Sequence, residues 1–304
     1  MDDKPTYYEA PENHSSHIRK MTIWLGVFFG ALIIVAILVV IFAGTLAKML
    51  PFSAEKRFVR PYEAMADFFY DEELTAEETA IIHYLQSLGS TLIDRLDIPD
   101  DYDIQFHYID DDAENAFATL GGHVFIFRGL LEAVPDENSL AMILAHEIAH
   151  VKNRDPLAAM GRLYSLQLVM SFASGDYSSG LGLTMDTGQL GLLYFSREQE
   201  EAADLEAITA IEETYGHVQG YDTFFNFILE KYSEDGDPQD SGAFDLEQLL
   251  STHPRLRTRI ATLKDVANER GYFEEGNVKP LPQDLERNVA AVKRQKVRER
   301  REGE

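Results

Sequence analysis

His146-Glu147-Ile148-Ala149-His150 sets two imidazoles four residues apart with a carboxylate beside the first. At 3.6 residues per helical turn, positions four apart lie nearly above one another, so both rings face one way and can hold one metal ion. Glu147 projects next to them, where a carboxylate can take a proton from a water that such an ion activates. The bare pattern arises by chance about once in a hundred chains of this length. Its neighbours Leu144, Ala145, Ile148, Ala149 and Val151 are apolar. Two unpaired histidines and a glutamate would be costly to bury among them, which favours a metal site over coincidence.

Two histidines do not complete a catalytic zinc site, which usually takes three protein ligands and leaves one position for water. The chain has no cysteine, so a thiolate is excluded. A third histidine six residues beyond the motif is also excluded, because position 156 is proline and the next histidine is His217. The reversed pattern H-x-x-E-H is absent. Ser196-Arg197-Glu198-Gln199-Glu200-Glu201-Ala202-Ala203-Asp204 does offer carboxylates on a second expected helix. A glutamate there gives a His-His-Glu set, and Asp204 lies one turn beyond Glu200, placed to accept the free N–H of a ligand histidine. Periodicity alone leaves Glu198, Glu200 and Glu201 open. His107, His123 and His217 read as ordinary surface or core residues.

The elements that must position these groups can be read in outline. Thr75 and Glu78 form a capping box for a helix whose apolar residues run from Ile81 to Ile93 at helical spacing. Ile104, Phe106 and Tyr108 alternate with polar residues as a strand, and Asp110-Asp111-Asp112 turns the chain. His123–Phe127 is a second strand, entered through Gly121-Gly122. Asp136 or Asn138 opens the motif helix, which runs to about Lys152 and is limited by Pro156. A further helix covers about Leu190 to Glu213, stopped by Gly216. Shorter ones lie near Asp222–Lys231, Arg255–Glu269 and Asp284–Arg301. Few strands among many helices, with no fixed-period repeat, indicate an α+β fold that is mostly helical with a small sheet.

Met21 to Ala47 is a run of 27 residues without a charge, flanked by Arg19-Lys20 and Lys48 and carrying Trp24 near one end. That length crosses the roughly 30 Å hydrocarbon core of a bilayer as a helix. A retained single-pass anchor is expected, with a cleaved signal peptide ending near Ala43-Gly44-Thr45-Leu46-Ala47 as its rival. Basic residues flanking the run lean towards a cytoplasmic body, by too small a margin to fix the side. The segment 157–195 is interrupted by Arg162, Asp176 and Asp186 and does not make a further full span, though it could touch the membrane or flap over the site. The expected division is a polar tail (1–20), a transmembrane helix (21–47), a linker and first helix (48–74), a metallopeptidase domain (75–285) and a basic helical tail (286–304). The formal charge of the chain is −25, and residues 61–285 hold 13 basic against 43 acidic side chains, or −30. Such a surface excludes nucleic acid as a partner. The basic tail reads as a solvated end, or as a contact for lipid headgroups or the acidic body.

Ser196–Asp204 resembles the S-R-x-x-E-x-x-A-D motif of the membrane zinc metallopeptidases that include HtpX, the CAAX prenyl proteases and the mitochondrial Oma peptidase. Asn115-Ala116-Phe117-Ala118 followed by Gly121-Gly122 resembles the family's N-A-F-A…G-G element. Ser251-Thr252-His253-Pro254 with Arg259-Ile260 is similar to its S-T-H-P-x-x-x-x-R-I signature. Together with H-E-x-x-H these motifs cover roughly residues 110–262. The resemblance implies a zincin-like (gluzincin) domain holding one Zn²⁺ through His146, His150 and Glu200, with Glu147 as general base and Asp204 behind a ligand histidine. It implies that His123–Phe127 is an edge strand pairing with extended substrate, and it makes His253, Arg259, Asn115 and Gly122 candidate oxyanion or substrate contacts. For His253 and Arg259, packing of the C-terminal helix against the site is an equal alternative. The chain departs from HtpX and the prenyl proteases in showing one span, which makes an Oma-like bacterial member the better match and prenylated peptides a doubtful substrate.

The function expected from the sequence is therefore a membrane-anchored zinc endopeptidase. It would act on unfolded or membrane proteins, in quality control at a bacterial inner membrane. A chaperone or binding module with a structural zinc is the alternative from another class, as is a latent enzyme closed by the 157–195 flap or by His253. The oligomeric state is not legible.

Overall fold

A computed structural model describes residues 14–58, 74–174, 195–234 and 256–302. The N-terminal tail to residue 13, most of the 48–74 linker, most of the Ser-Gly-rich stretch and the Ser251–Pro254 signature with His253 lie outside the described residues.

The chain enters as a 34-residue helix, α1 (His14–Ala47). Within it Ile18–Ala47 is the one stretch among the described residues long and apolar enough to cross a membrane. Its apolar side chains face outward, with Trp24 70% exposed. A short helix α2 (Phe52–Phe58) follows, then α3 (Ala76–Ile93). The expected capping box is present: the Glu78 amide donates to Thr75 Oγ1 at 3.2 Å, and Glu78 Oε2 accepts from the Thr75 amide at 2.8 Å. Ile81, Leu85, Leu88 and Leu92 then form one buried stripe, each contributing about 1.5–3 kcal/mol by leaving water.

Three strands follow, β1 (Gln105–Ile109), β2 (Ala116–Ala118) and β3 (His123–Phe127), in the order β1-β3-β2. Strand β3 pairs in parallel with β1 and antiparallel with β2. His123–Phe127 is therefore the central strand, and the expectation that it forms the substrate-pairing edge is corrected: β2 is the edge on the antiparallel side. Alternation along the strands divides the side chains between two faces. Phe106, Tyr108, Val124 and Ile126 join the main core, while Ile109, Phe117, Phe125 and Phe127 meet Leu157 and Met160. Both faces are covered, which is why the polar member of the first strand, His107, is 3% exposed and not solvated as simple alternation suggests.

His107 Nε2 lies 2.9 Å from His123 Nδ1. Burial, then the neighbouring His123, push the His107 pKa down to about 3. The unfolded chain takes up a proton near pH 6.5 that the folded chain refuses, so stability present above pH 6.5 is lost as pH falls towards 3. In metal-free protein, the His107 contribution to urea stability should fall by about 1 kcal/mol per pH unit between pH 6.5 and 5, approaching about 1.4, the value for one proton, at lower pH. His107→Phe should flatten this slope by about that amount, leaving the share of His146, whose pKa burial also lowers. An unchanged slope in the variant would rule out His107 as a source.

After α4 (Arg128–Ala133) comes the motif helix α5 (Glu137–Lys152). Asp136 is its N-cap, accepting from the Ser139 amide at 2.8 Å. Every residue from Glu137 to Val151 is buried. Pro156 does not stop this helix. The chain turns at Arg154, whose φ of 56° is left-handed, and Pro156 sits in the first turn of α6 (Asp155–Ser174), where its missing N–H is no loss. Arg154 is held in that turn by Glu55 of α2, at 2.6 Å and 3.0 Å. Helix α6 lies along α1 at a close crossing. A Cβ on Gly44 would come 3.0 Å from the Ala158 carbonyl, and one on Gly161 3.0 Å from the Ala43 carbonyl.

The remaining described helices are α7 (Arg197–Tyr215), α8 (Thr223–Glu234), α9 (Leu256–Arg270) and α10 (Gln283–Glu302). Helix α7 starts at a second capping box, Ser196 with Gln199, and not at the earlier position expected near Leu190, and it ends at Gly216. Helix α10 is not a free solvated end. Leu285, Val289 and Val292 are buried against the body, and Lys293 pairs with Glu132 at 2.7 Å.

Candidate metal centre

Helix α5 carries His146, Glu147 and His150, and α7 packs across it to bring Glu200 against both histidines. The side chains are 0–5% exposed. His150 Nε2 lies 3.1 Å from His146 Nε2 and 3.4 Å from Glu200 Oε1, and His146 Nε2 lies 3.6 Å from Glu200 Oε2. One donor atom from each of the three lies within 4.8 Å of the others, close enough for the set to hold one ion. Of the three glutamates that periodicity left open, the geometry selects Glu200. Glu198 is fully solvated at the start of α7, and Glu201 is exposed.

The other nitrogen of each histidine meets a carboxylate. His146 Nδ1 is 2.9 Å from Asp204 Oδ1, the position anticipated from the sequence. His150 Nδ1 is 3.0 Å from Asp155 Oδ2, and Asp155 was not anticipated. It stands five residues after His150, off the helical face, and only the left-handed turn at Arg154 swings it back. Such partners fix the tautomer so that both Nε2 atoms point inward. Arg259 of α9 donates to Asp204 at 2.8 Å and 2.6 Å and pairs with Glu200 Oε2 at 2.9 Å. The sequence left Arg259 as an oxyanion contact or as packing for its helix; in the structure its guanidinium is taken up by the carboxylates of Asp204 and Glu200.

Charge and burial act in opposite directions here. Burial alone would raise the Asp204 pKa, but Arg259 and His146 outweigh it and hold the carboxyl well below its usual range. Burial alone would lower His150, yet Asp155 and Glu200 push it up to about 9. Without metal His150 thus carries a proton at neutral pH that a bound ion must displace. His146 moves down, through burial first and then Arg259 and His150.

Glu147 is 2% exposed, and its Oε2 accepts from the Ala118 amide of β2 at 2.7 Å. A small cavity beside it is lined by Asn115, Ala116, Ile143, His146, Glu147, Phe224, Phe225, Leu256 and Arg259. Asn115 is 2% exposed, and neither its amide oxygen nor its nitrogen has a hydrogen-bond partner. A buried amide left so is destabilising by about 1–3 kcal/mol unless a ligand completes it. Gly122 is not among the lining residues. It stands at φ +89° where a Cβ would come 2.3 Å from the Asp103 carbonyl, a backbone role in the turn into β3.

On this mostly helical α+β fold, His146, His150 and Glu200 form a buried donor set that could hold a metal ion, with the Glu147 carboxylate adjacent. Residues 82–267 match Peptidase family M48, and the chain belongs to that family. The beta-barrel assembly-enhancing protease of Escherichia coli is 27% identical over 226 residues, 70% of this chain and 42% of that protein. The mitochondrial metalloendopeptidase OMA1 of Schizosaccharomyces pombe is 30% identical over 163 residues, 53% of this chain and 46% of that protein. The bovine mitochondrial OMA1 is 27% identical over 221 residues, 66% and 40% respectively. The chain spans less than half the length of each of these relatives.

Proposed function

We propose that the chain is a membrane-anchored zinc endopeptidase in which His146, His150 and Glu200 hold the ion and Glu147 is the general base. The observation that carries this reading is the convergence of three buried donors within 4.8 Å of one another, with Glu147 beside them. Zinc bound there supplies Lewis acidity, bringing the pKa of a coordinated water towards neutrality and polarising a carbonyl. Glu147 accepts the proton given up during attack and passes it to the leaving amine.

Substrate would lie along β2. Asn115 and Thr119 bond to β3, so in this antiparallel ladder Ala116 and Ala118 turn their backbone groups the other way; the Ala118 amide meets Glu147, and Ala116 lines the cavity. An extended peptide can add there as a further strand. The unpartnered Asn115 amide supports a contact to the peptide backbone, and Ile143, Phe224, Phe225 and Leu256 offer an apolar seat for a side chain. Recognition through backbone groups suits unfolded proteins. Relatives named for barrel assembly and as mitochondrial peptidases favour quality control of membrane or envelope proteins, and the exposed apolar α1 favours anchoring in a bacterial inner membrane.

One preparation tests both parts. Reconstituted into liposomes and washed with carbonate, the full chain should float with lipid, and the floated fraction should degrade casein, stop on chelation and resume with zinc. Protein left at the bottom of the gradient would sink the anchor. A zinc-loaded fraction that leaves casein intact would sink the peptidase.

A further inference from the structure

One group that organises the metal centre arrives from the apolar N-terminal helix. Lys48 directly follows the last residue of α1, and its Nζ donates to Asp155 Oδ1 at 2.7 Å. Gln199 Nε2 donates to the same oxygen at 2.5 Å, leaving Asp155 Oδ2 for His150 Nδ1 at 3.0 Å. The Asp155 side chain is 1% exposed and that of Lys48 35%, so a buried carboxylate is met by a cation reaching in from the rim. The α1–α6 crossing at Gly44 and Gly161 sets the distance, because the residue after α1 and the first residue of α6 face each other only while the two helices stay in contact.

We infer that Lys48 is a positioning residue for the metal centre, holding Asp155 so that Asp155 holds His150, and that the seating of α1 on α6 thereby sets metal affinity. A carboxylate gripped by two donors at one oxygen cannot swing its second oxygen away from the imidazole. The ligand nitrogen of His150 is then aimed at the ion before the ion arrives, which removes an ordering cost from binding. Without Lys48, the buried Asp155 loses this cation and keeps on that oxygen only the neutral Gln199 amide, which does not replace the charge. This inference rests on the reading that His146, His150 and Glu200 bind metal.

The test is zinc affinity of the full chain in detergent, measured by competition with a chromophoric chelator and so independent of turnover. Lys48→Met should weaken zinc binding by about 10-fold or more, the usual scale for losing a partner behind a ligand histidine, and Lys48→Arg should regain most of it. In an Asp155→Asn background, Lys48→Met should add little further loss. Removing the lysine bares one side of a part-buried pair, so the metal-free urea midpoint should fall as well, but zinc affinity of the still-folded protein should fall beyond what that loss accounts for, which a merely structural lysine would not predict. Zinc affinity within two-fold of the parent, or the same loss persisting in the Asp155→Asn background, would overturn the inference while leaving the metal site standing. A parent protein that takes up no zinc would overturn both.

Discussion

Glu147→Gln should leave one zinc per chain bound and reduce casein cleavage by about 10²–10⁴-fold, the range for removing a positioned general base. The substitution keeps shape and keeps an acceptor for the Ala118 amide, which lies 2.7 Å from Glu147 Oε2. It removes only the ability to take a proton. Neither donor geometry nor the β2 edge should move, so the loss should fall on kcat with KM little changed. Cleavage at the parent rate would eliminate Glu147 as the base. Loss of zinc would mean that Glu147 is a ligand, contrary to its engagement with β2. The same variant separates enzyme from binding module, since a structural zinc has no use for a carboxylate 2% exposed at the rim of a cavity.

Much of this centre could be read before any coordinates because its chemistry follows helical periodicity. His146 and His150 share a face of α5, and Glu200 and Asp204 share a face of α7, so spacing alone brings each pair together. Capping followed local rules as well: Thr75 with Glu78 was legible, and Ser196 with Gln199 obeys the same pattern. What escaped depends on where the chain turns between helices. Asp155 reaches His150 only because Arg154 adopts a left-handed φ held by Glu55, a residue 99 positions away. Lys48 reaches Asp155 across 107 positions, through a helix crossing that no local pattern encodes. The edge position that the resemblance implied for His123–Phe127 failed for a related reason. His123–Phe127 is buried at every position because it lies between two neighbours, as the centre of a sheet requires, and Ala116–Ala118 is too short to be read as a strand. The edge fell to the short Ala116–Ala118, where small side chains leave room beside Glu147.

The second large effect concerns Arg259, whose guanidinium serves Asp204 twice, pairs with Glu200 and rests over the Phe225 ring at 4.8 Å. Arg259→Met keeps much of the volume and leaves two buried carboxylates without their cation. Breaking a buried ion pair from one side costs about 3–5 kcal/mol, and that loss should appear in urea unfolding of metal-free protein. Measurement at pH 8 limits rescue by proton uptake on His146, which Arg259 normally suppresses. A zinc ion places positive charge on the same Glu200 and, through His146, beside the same Asp204. The variant should therefore lose less when zinc is bound, and by linkage its stabilisation by zinc should exceed that of the parent. Arg259→Lys should recover part of the metal-free loss, because one ammonium can meet one carboxylate but cannot grip Asp204 at two oxygens while reaching Glu200. Equal losses with and without zinc would mean that Arg259 only packs α9 against α7. A smaller loss with zinc would show that the arginine and the ion balance the same two carboxylates, and that the empty centre is held together by a cation the protein supplies itself.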